Sequence, residues 1–203
     1  MTIREYFQLV APWLLVTLCF VSVWSWTHLP QCRTWWQKLL VPALTAVITW
    51  APIGGLSLAD YILSLNPNFS IGSLALLVVL LWPKFTGKPL LSDANLWLFC
   101  LWNLILSLNL AFSYLGLIPY DMYASGYHFS LWFIIPAVIT LRAVWSLNPL
   151  SIIFIAYIVA FDLKLLPSDN FFDYLTDGFL LVLSLGLLFQ VAVLAVKKYS
   201  RRL

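Results

Sequence analysis

The densest polar run in the sequence is Ser168-Asp169-Asn170-Phe171-Phe172-Asp173-Tyr174-Leu175-Thr176-Asp177, which sets three carboxylates at i, i+4 and i+8. On one helix each four-residue step advances about 40° past a full turn, so Asp169, Asp173 and Asp177 would form a single slanting stripe. Like charges at that spacing repel by about 0.2–0.5 kcal/mol per pair, and by more away from water. Two chemistries answer that repulsion. One is a cation or basic partner held by the stripe, with Asp177 the most telling residue because it would lie two turns into the helix. The other is capping, since acids are favoured at a helix N-terminus and Ser168 or Asp169 can serve as the cap. Asp121 and His128 are the nearest additions to such a site. A histidine close to a carboxylate can ligate a metal or carry a proton, and it can equally just hydrogen-bond water or headgroups. The candidate ligand- or cation-binding set is therefore Asp121, His128, Asp169, Asp173 and Asp177, with the identity of any metal or cofactor left open.

Over nine residues this stripe resembles the Asn-Asp-x-x-Asp-x-x-x-Asp pattern of membrane prenyltransferases, whose acids hold magnesium and a diphosphate. Here the first two residues are reversed as Asp169-Asn170, and no second aspartate motif follows. A chain of 203 residues is also short for that family's bundle, so no roles are carried across. There is no Gly-x-Ser-x-Gly, no His-Glu-x-x-His and no phosphate-cradling glycine loop. Cys19, Cys32 and Cys100 are an odd set without metal-site or disulfide spacing, and they read as reduced structural residues.

The elements that must position these residues follow from composition. The chain is 63% apolar and 9% charged, with 11 Trp, 14 Phe and 9 Tyr. A soluble domain is about 45–50% apolar and about 25% charged, so this composition cannot cover a water-facing surface. The expected fold is all-α: a polytopic membrane helical bundle of about seven transmembrane helices with short loops, forming one integral membrane domain over residues 1–203. Seven spans of roughly 20 residues leave no room for a soluble catalytic or nucleic-acid-binding domain.

The apolar runs are 6–26, 39–53, 69–82, 95–118, 127–144, 149–166 and a last one that begins near Ser168 and reaches Val196. Leu56 to Leu65 carries Asp60 and is too short to cross, so it reads as an interfacial or re-entrant piece. The 69–82 run is also short and needs flanking turns to span. Pro136 is expected to kink the fifth helix. Asn103, Ser107, Asn109 and Gln190 are expected to face other helices rather than lipid, because an unsatisfied amide in hydrocarbon is costly.

Cytoplasmic loops are enriched in Lys and Arg. With the basic C-terminal tail inside, seven spans put nine basic residues inside (Arg33, Lys38, Lys84, Lys88, Arg142, Lys197, Lys198, Arg201, Arg202) and two outside (Arg4, Lys164). Omitting the short third span changes the split to eight against three, so the preference for seven is slight. The N-terminus is then external and the C-terminus cytoplasmic, with the chain a multi-pass protein of the plasma (inner) membrane. Glu5, Asp60, Asp121, Asp162, Asp169, Asp173 and Asp177 all fall outside, which makes the external face acidic.

Three function classes remain. The first is an embedded subunit or scaffold of a cell-envelope assembly, contacting membrane lipid and a protein partner within the membrane or at the external face, with no nucleic acid. The alternatives are a small-solute or cation transporter or channel, and a lipid-processing enzyme with a metal-assisted external site. Absence of a soluble domain and of a catalytic motif favours the first.

Overall fold

The computed structural model describes residues 3–26, 34–128 and 133–200. His28, Cys32, Arg33 and Trp132 lie outside the described residues, as do the side chains of Arg4, Trp26 and the basic tail. Among the described residues the chain is all α, with nine α-helices and no strand. They are α1 (Ile3–Trp26), α2 (Trp35–Trp50), α3 (Leu58–Leu65), α4 (Ile71–Thr86), α5 (Asp93–Tyr114), α6 (Ile134–Trp145), α7 (Leu150–Asp162), α8 (Phe172–Leu175) and α9 (Gly178–Ser200). A 3₁₀ turn, Ala124–Tyr127, lies between α5 and α6. Seven of the helices coincide with the seven apolar runs; α3 is the short piece that carries Asp60, and α8 is a single turn. By length and composition two helices can cross a membrane, α1 over Glu5–Ser25 and α5 over Asp93–Tyr114.

The short 69–82 run turns out to be the hub. Helix α4 is apolar over most of its surface, and a helix of that kind is stable where most of that surface is covered. It packs against α1, α7, α8 and α9, and Ile71, Leu74, Leu76, Leu77, Val79 and Leu81 are all buried. Ser70 caps its N-terminus by accepting from the Ser73 N–H at 3.1 Å. Its other end runs on through Pro83 to Thr86, where Gly87 closes it at φ 74°, a left-handed cap that favours glycine. Helix α5 packs on α9, α6 on α7, and α2 lies outside on α1 and α3.

The buried core is mainly apolar, yet it takes in several hydroxyl and amide side chains while many large apolar side chains face outward. Thr45, Thr49, Ser73, Asn103 and Ser184 are buried, while Leu40 of α2 and Leu141 of α6 are 63% and 68% exposed. The α1–α2 contact runs through a Thr17–Thr45 hydroxyl pair at 2.8 Å, and the Trp13 indole donates to Pro42 O at 3.0 Å. Asn103 donates to Ser184 Oγ at 3.1 Å across the α5–α9 seam, and Ser107 pairs with Thr176 at 2.7 Å. Both therefore face another element, as their position on one side of α5 implies. Asn109 instead donates to Ile105 O of its own helix, and Gln190 is exposed, so neither bridges helices.

Several boundaries differ from the sequence reading. Pro136 is the third residue of the described α6, where a missing backbone donor costs nothing, so it starts a helix instead of kinking one. Helix α7 stops at Asp162 and the chain turns at Lys164, whose φ is 50°. The largest departure is in the last apolar run. A continuous helix from Ser168 does not form: α8 ends at Leu175, Thr176 is extended at φ −145° and ψ 156°, and α9 begins at Gly178.

Candidate functional site

That break disperses the aspartate stripe. Asp169, Asp173 and Asp177 lie respectively before α8, within it and after it, and each has its own partner.

Asp173 belongs to a seam between the 119–127 loop and the 168–175 segment. Asn170 is wholly buried; its Oδ1 accepts from Phe172 N at 2.9 Å and its Nδ2 donates to Tyr123 O at 2.8 Å. The Phe171 N–H donates to Gly126 O at 3.0 Å. Glycine is required at 126 because a Cβ there would fall on Asn170 Oδ1 and lie 2.7 Å from Phe172 Cδ2. The Asp173 carboxylate then accepts from Tyr123 Oη at 2.9 Å and from Ser168 Oγ at 2.5 Å. Beneath it Tyr174, fully buried, accepts from Leu166 N at 3.2 Å and packs edge-on against Phe161.

Asp177 turns to α4 instead. Its Oδ2 accepts from Ser70 N at 2.5 Å and from Ser73 Oγ at 2.6 Å, while Oδ1 accepts from Leu180 N at 2.8 Å and so caps α9. One carboxylate thus joins the starts of two helices. Asp169 pairs with Lys164 at 3.3 Å on an exposed surface, a geometry worth about 0–1 kcal/mol. Asp121 caps the 3₁₀ turn by accepting from Ala124 N at 2.9 Å. His128 is exposed beside Tyr127, whose ring stands edge-on to Tyr123 with centroids 5.8 Å apart.

The structure therefore brings the Asp121–His128 loop against the Asp173 segment through Tyr123 and Asn170, but it does not gather the carboxylates. Among the described residues no group of three or more His, Cys, Asp or Glu side chains is placed to hold a metal ion. Sequence reasoning passed over Tyr123, Gly126, Ser70 and Ser73. The spacing Ser70-x-x-Ser73 did carry a usable signal, a hydroxyl cap before an apolar run.

The Tyr123 phenol is pushed above its usual range, first by burial, then by its hydrogen bond to Asp173 and that residue's charge, and last by Tyr127. A raised folded-state value means that the contribution is complete below the free phenol's value, about 10, and is lost only as pH rises through the folded one. Stability in detergent is expected to stay flat in this respect up to about pH 10, and Tyr123→Phe is expected to lower it by about 1 kcal/mol throughout that range. Absorbance at 295 nm checks the assignment: the variant loses a late-titrating phenol, whereas loss of one that ionises near pH 10 contradicts it.

Two cavities lie between helices. One, of about 490 Å³, is bounded by α5, α6, α7 and residues 171–175, with Trp102, Ala137, Thr140, Phe154 and Tyr157 in its wall. The other, of about 470 Å³, lies among α1, α4 and α7 and is lined by apolar residues such as Phe7, Leu74 and Ile153. No protein-family model, curated protein or solved structure matches the chain.

Proposed function

We propose that the chain is an integral membrane protein, seven-pass with an external N-terminus and a cytoplasmic C-terminus in the plasma (inner) membrane, and that it serves as an embedded subunit or scaffold of a cell-envelope assembly. The membrane setting draws on the apolar exterior, on which Leu40 and Leu141 lie exposed, and on the two helices long and apolar enough to cross a membrane. Covering such an apolar exterior takes lipid or another helix. The observation that carries the scaffold role is the engagement of the acids. Asp121, Asp169, Asp173 and Asp177 each hold a partner within the chain, so the acidic rim acts as a fastening between helices and loops. A membrane-embedded protein partner and surrounding lipid are the contacts this reading requires.

One observation favours the transporter as a second reading. The α5–α9 seam buries Asn103 with its Oδ1 unpaired, and a buried acceptor of that kind is a place for a water or a cation in transit. The metal-assisted lipid enzyme gains nothing from the dispersed carboxylates.

The test begins with alkaline carbonate extraction of membranes, in which the chain is expected to remain in the pellet. Reporters fused at either end should be active outside at the N-terminus and inside at the C-terminus. After mild detergent extraction the chain is expected in a complex heavier than itself. A lone chain that supports solute flux in liposomes would replace the scaffold by the transporter, and a chain released by carbonate would overturn the membrane reading.

A further inference from the structure

We propose that the outward face of α9 around Gly186 and Gln190 is an intramembrane docking surface for a second copy of the chain, the two copies forming a parallel two-fold pair through hydrogen bonds between their Gln190 amides. The inference rests on the membrane reading above but not on the scaffold role.

Val182, Gly186 and Gln190 stand at i, i+4 and i+8 on α9 and form one slanting row along its surface. All three are exposed. Ser184 lies on the other side of the helix, where it meets Asn103 of α5, so the row points away from the protein's own core. Other polar side chains on these helices return their hydrogen bonds to their own backbone: Asn109 donates to Ile105 O at 2.7 Å and Thr140 to Pro136 O at 2.7 Å. The Gln190 amide has no hydrogen-bond partner among the described residues.

Depth makes that amide costly to leave alone. Between Asp177 and Lys197 the sequence holds no ionisable residue, and this stretch is roughly as long as the hydrocarbon core is thick, about 30 Å. Gln190 comes 12 residues after Gly178 and 7 before Lys197, roughly 18 Å and 10 Å along the axis. Its side chain therefore faces acyl chains and reaches neither headgroup layer. An amide there without a partner forgoes the hydrogen bonds that water would have supplied.

The amide's chemistry selects the occupant. Lipid tails offer it nothing. A second copy offers the same group, and because an amide carries both donors and an acceptor, two of them satisfy each other. Copies inserted with one topology are related by a two-fold axis along the membrane normal, which brings each residue level with its own counterpart. Gly186, one turn away, has nothing within 4 Å of its Cβ position, and a small residue at a crossing lets two membrane helices approach closely enough for their side chains to bond. The basic tails from Lys197 onward repel one another in such a pair, but they fall in the headgroup layer, where salt and anionic lipid screen them.

The test reconstitutes the purified full chain, carrying a donor or an acceptor dye at its C-terminus, into liposomes of phosphatidylethanolamine and phosphatidylglycerol. Energy transfer is followed as the protein-to-lipid ratio falls. Transfer is expected to stay above that of randomly placed copies until the chains are highly diluted. Gln190→Leu is expected to raise the ratio at half-dissociation about tenfold, the equivalent of two interhelical hydrogen bonds at their usual strength in a membrane. Gln190→Asn, which keeps the amide, should recover part of that loss. Gly186→Leu should abolish pairing, whereas Leu141→Ala on the exposed side of α6 should leave it unchanged. Transfer at the random level in the unsubstituted chain, an unchanged half-dissociation in Gln190→Leu, or pairing that is lost in Leu141→Ala and kept in Gly186→Leu would each overturn the proposal. Random-level transfer beside a heavier complex from native membranes would give the face to a different membrane helix and leave the scaffold reading standing. A chain that stays in solution and enters no liposome would overturn the membrane reading and the pairing with it.

Discussion

Replacing Asp177 by Ala is expected to lower the thermal midpoint of the detergent-solubilised chain by roughly 10 °C, the equivalent of about 3–5 kcal/mol for a chain of this length. The side chain takes the Ser70 N–H and Ser73 hydroxyl on one oxygen and the Leu180 N–H on the other. Alanine accepts none of them. Two backbone donors at the starts of α4 and α9 would then lie where water is scarce, and each unsatisfied donor costs about 1–3 kcal/mol. Asp177→Asn retains one acceptor oxygen and is expected to lose about half as much. A double-mutant cycle with Ser73→Ala should give a coupling of about 1–2 kcal/mol. An unchanged midpoint in Asp177→Ala would show that the carboxylate does not fasten the two helices and would return it to the pool of candidate ligand groups.

The second large effect is expected at Gly72, and its control is another glycine. A Cβ at Gly72 would fall on Leu175 O and come within 2.5 Å of Leu180 Cδ2. The leucine side chain can move aside, but the carbonyl belongs to the backbone that ends α8. Gly72→Ala is therefore expected to destabilise by about 2–3 kcal/mol as α4 is pushed off that backbone. Gly186, in the middle of α9, has nothing within 4 Å of its own Cβ position. Removing a mid-helix glycine there should stabilise by about 0.5–1 kcal/mol. The same substitution thus carries opposite signs at the two positions, and unfolding midpoints measured side by side decide it. Equal effects would mean that α4 and the 175–180 segment do not approach as closely as described.

What the sequence made legible is tied to composition and period. The apolar runs locate seven of the helices, and the one-sided spacing of Asn103 and Ser107 anticipates a buried seam that ends on Ser184 and Thr176. Two kinds of information were not available from local pattern. The regular spacing of Asp169, Asp173 and Asp177 fits one helix, yet Thr176 is extended and splits it. Asp177 before Gly178 and a long apolar run is itself a cap signal, and here it prevails over periodicity because a carboxylate gains more from two helix starts than from a place on a helix wall. Length does not convey the place of α4 for a related reason: its 16 residues are short for a span, yet they pack against four other helices. For the candidate site, side chains such as Tyr123 were invisible because their partners lie some 50 positions away, as Asp173 does.

The position of α4 at the hub also bears on how the molecule is made. Of the helices around it, α1 precedes it in the chain, while α7, α8 and α9 follow it. During synthesis α4 therefore emerges well before most of its final neighbours exist, and the Asp177 carboxylate that completes its N-terminus comes 104 residues after Ser73. Until then, of the helices that pack on it, its apolar faces have only α1 to rest against. The core is thus closed from the C-terminal side of α4: α9 completes what α1 and α4 begin, and a ribosome stalled before Asp177 leaves a chain whose hub helix still lacks several of its walls.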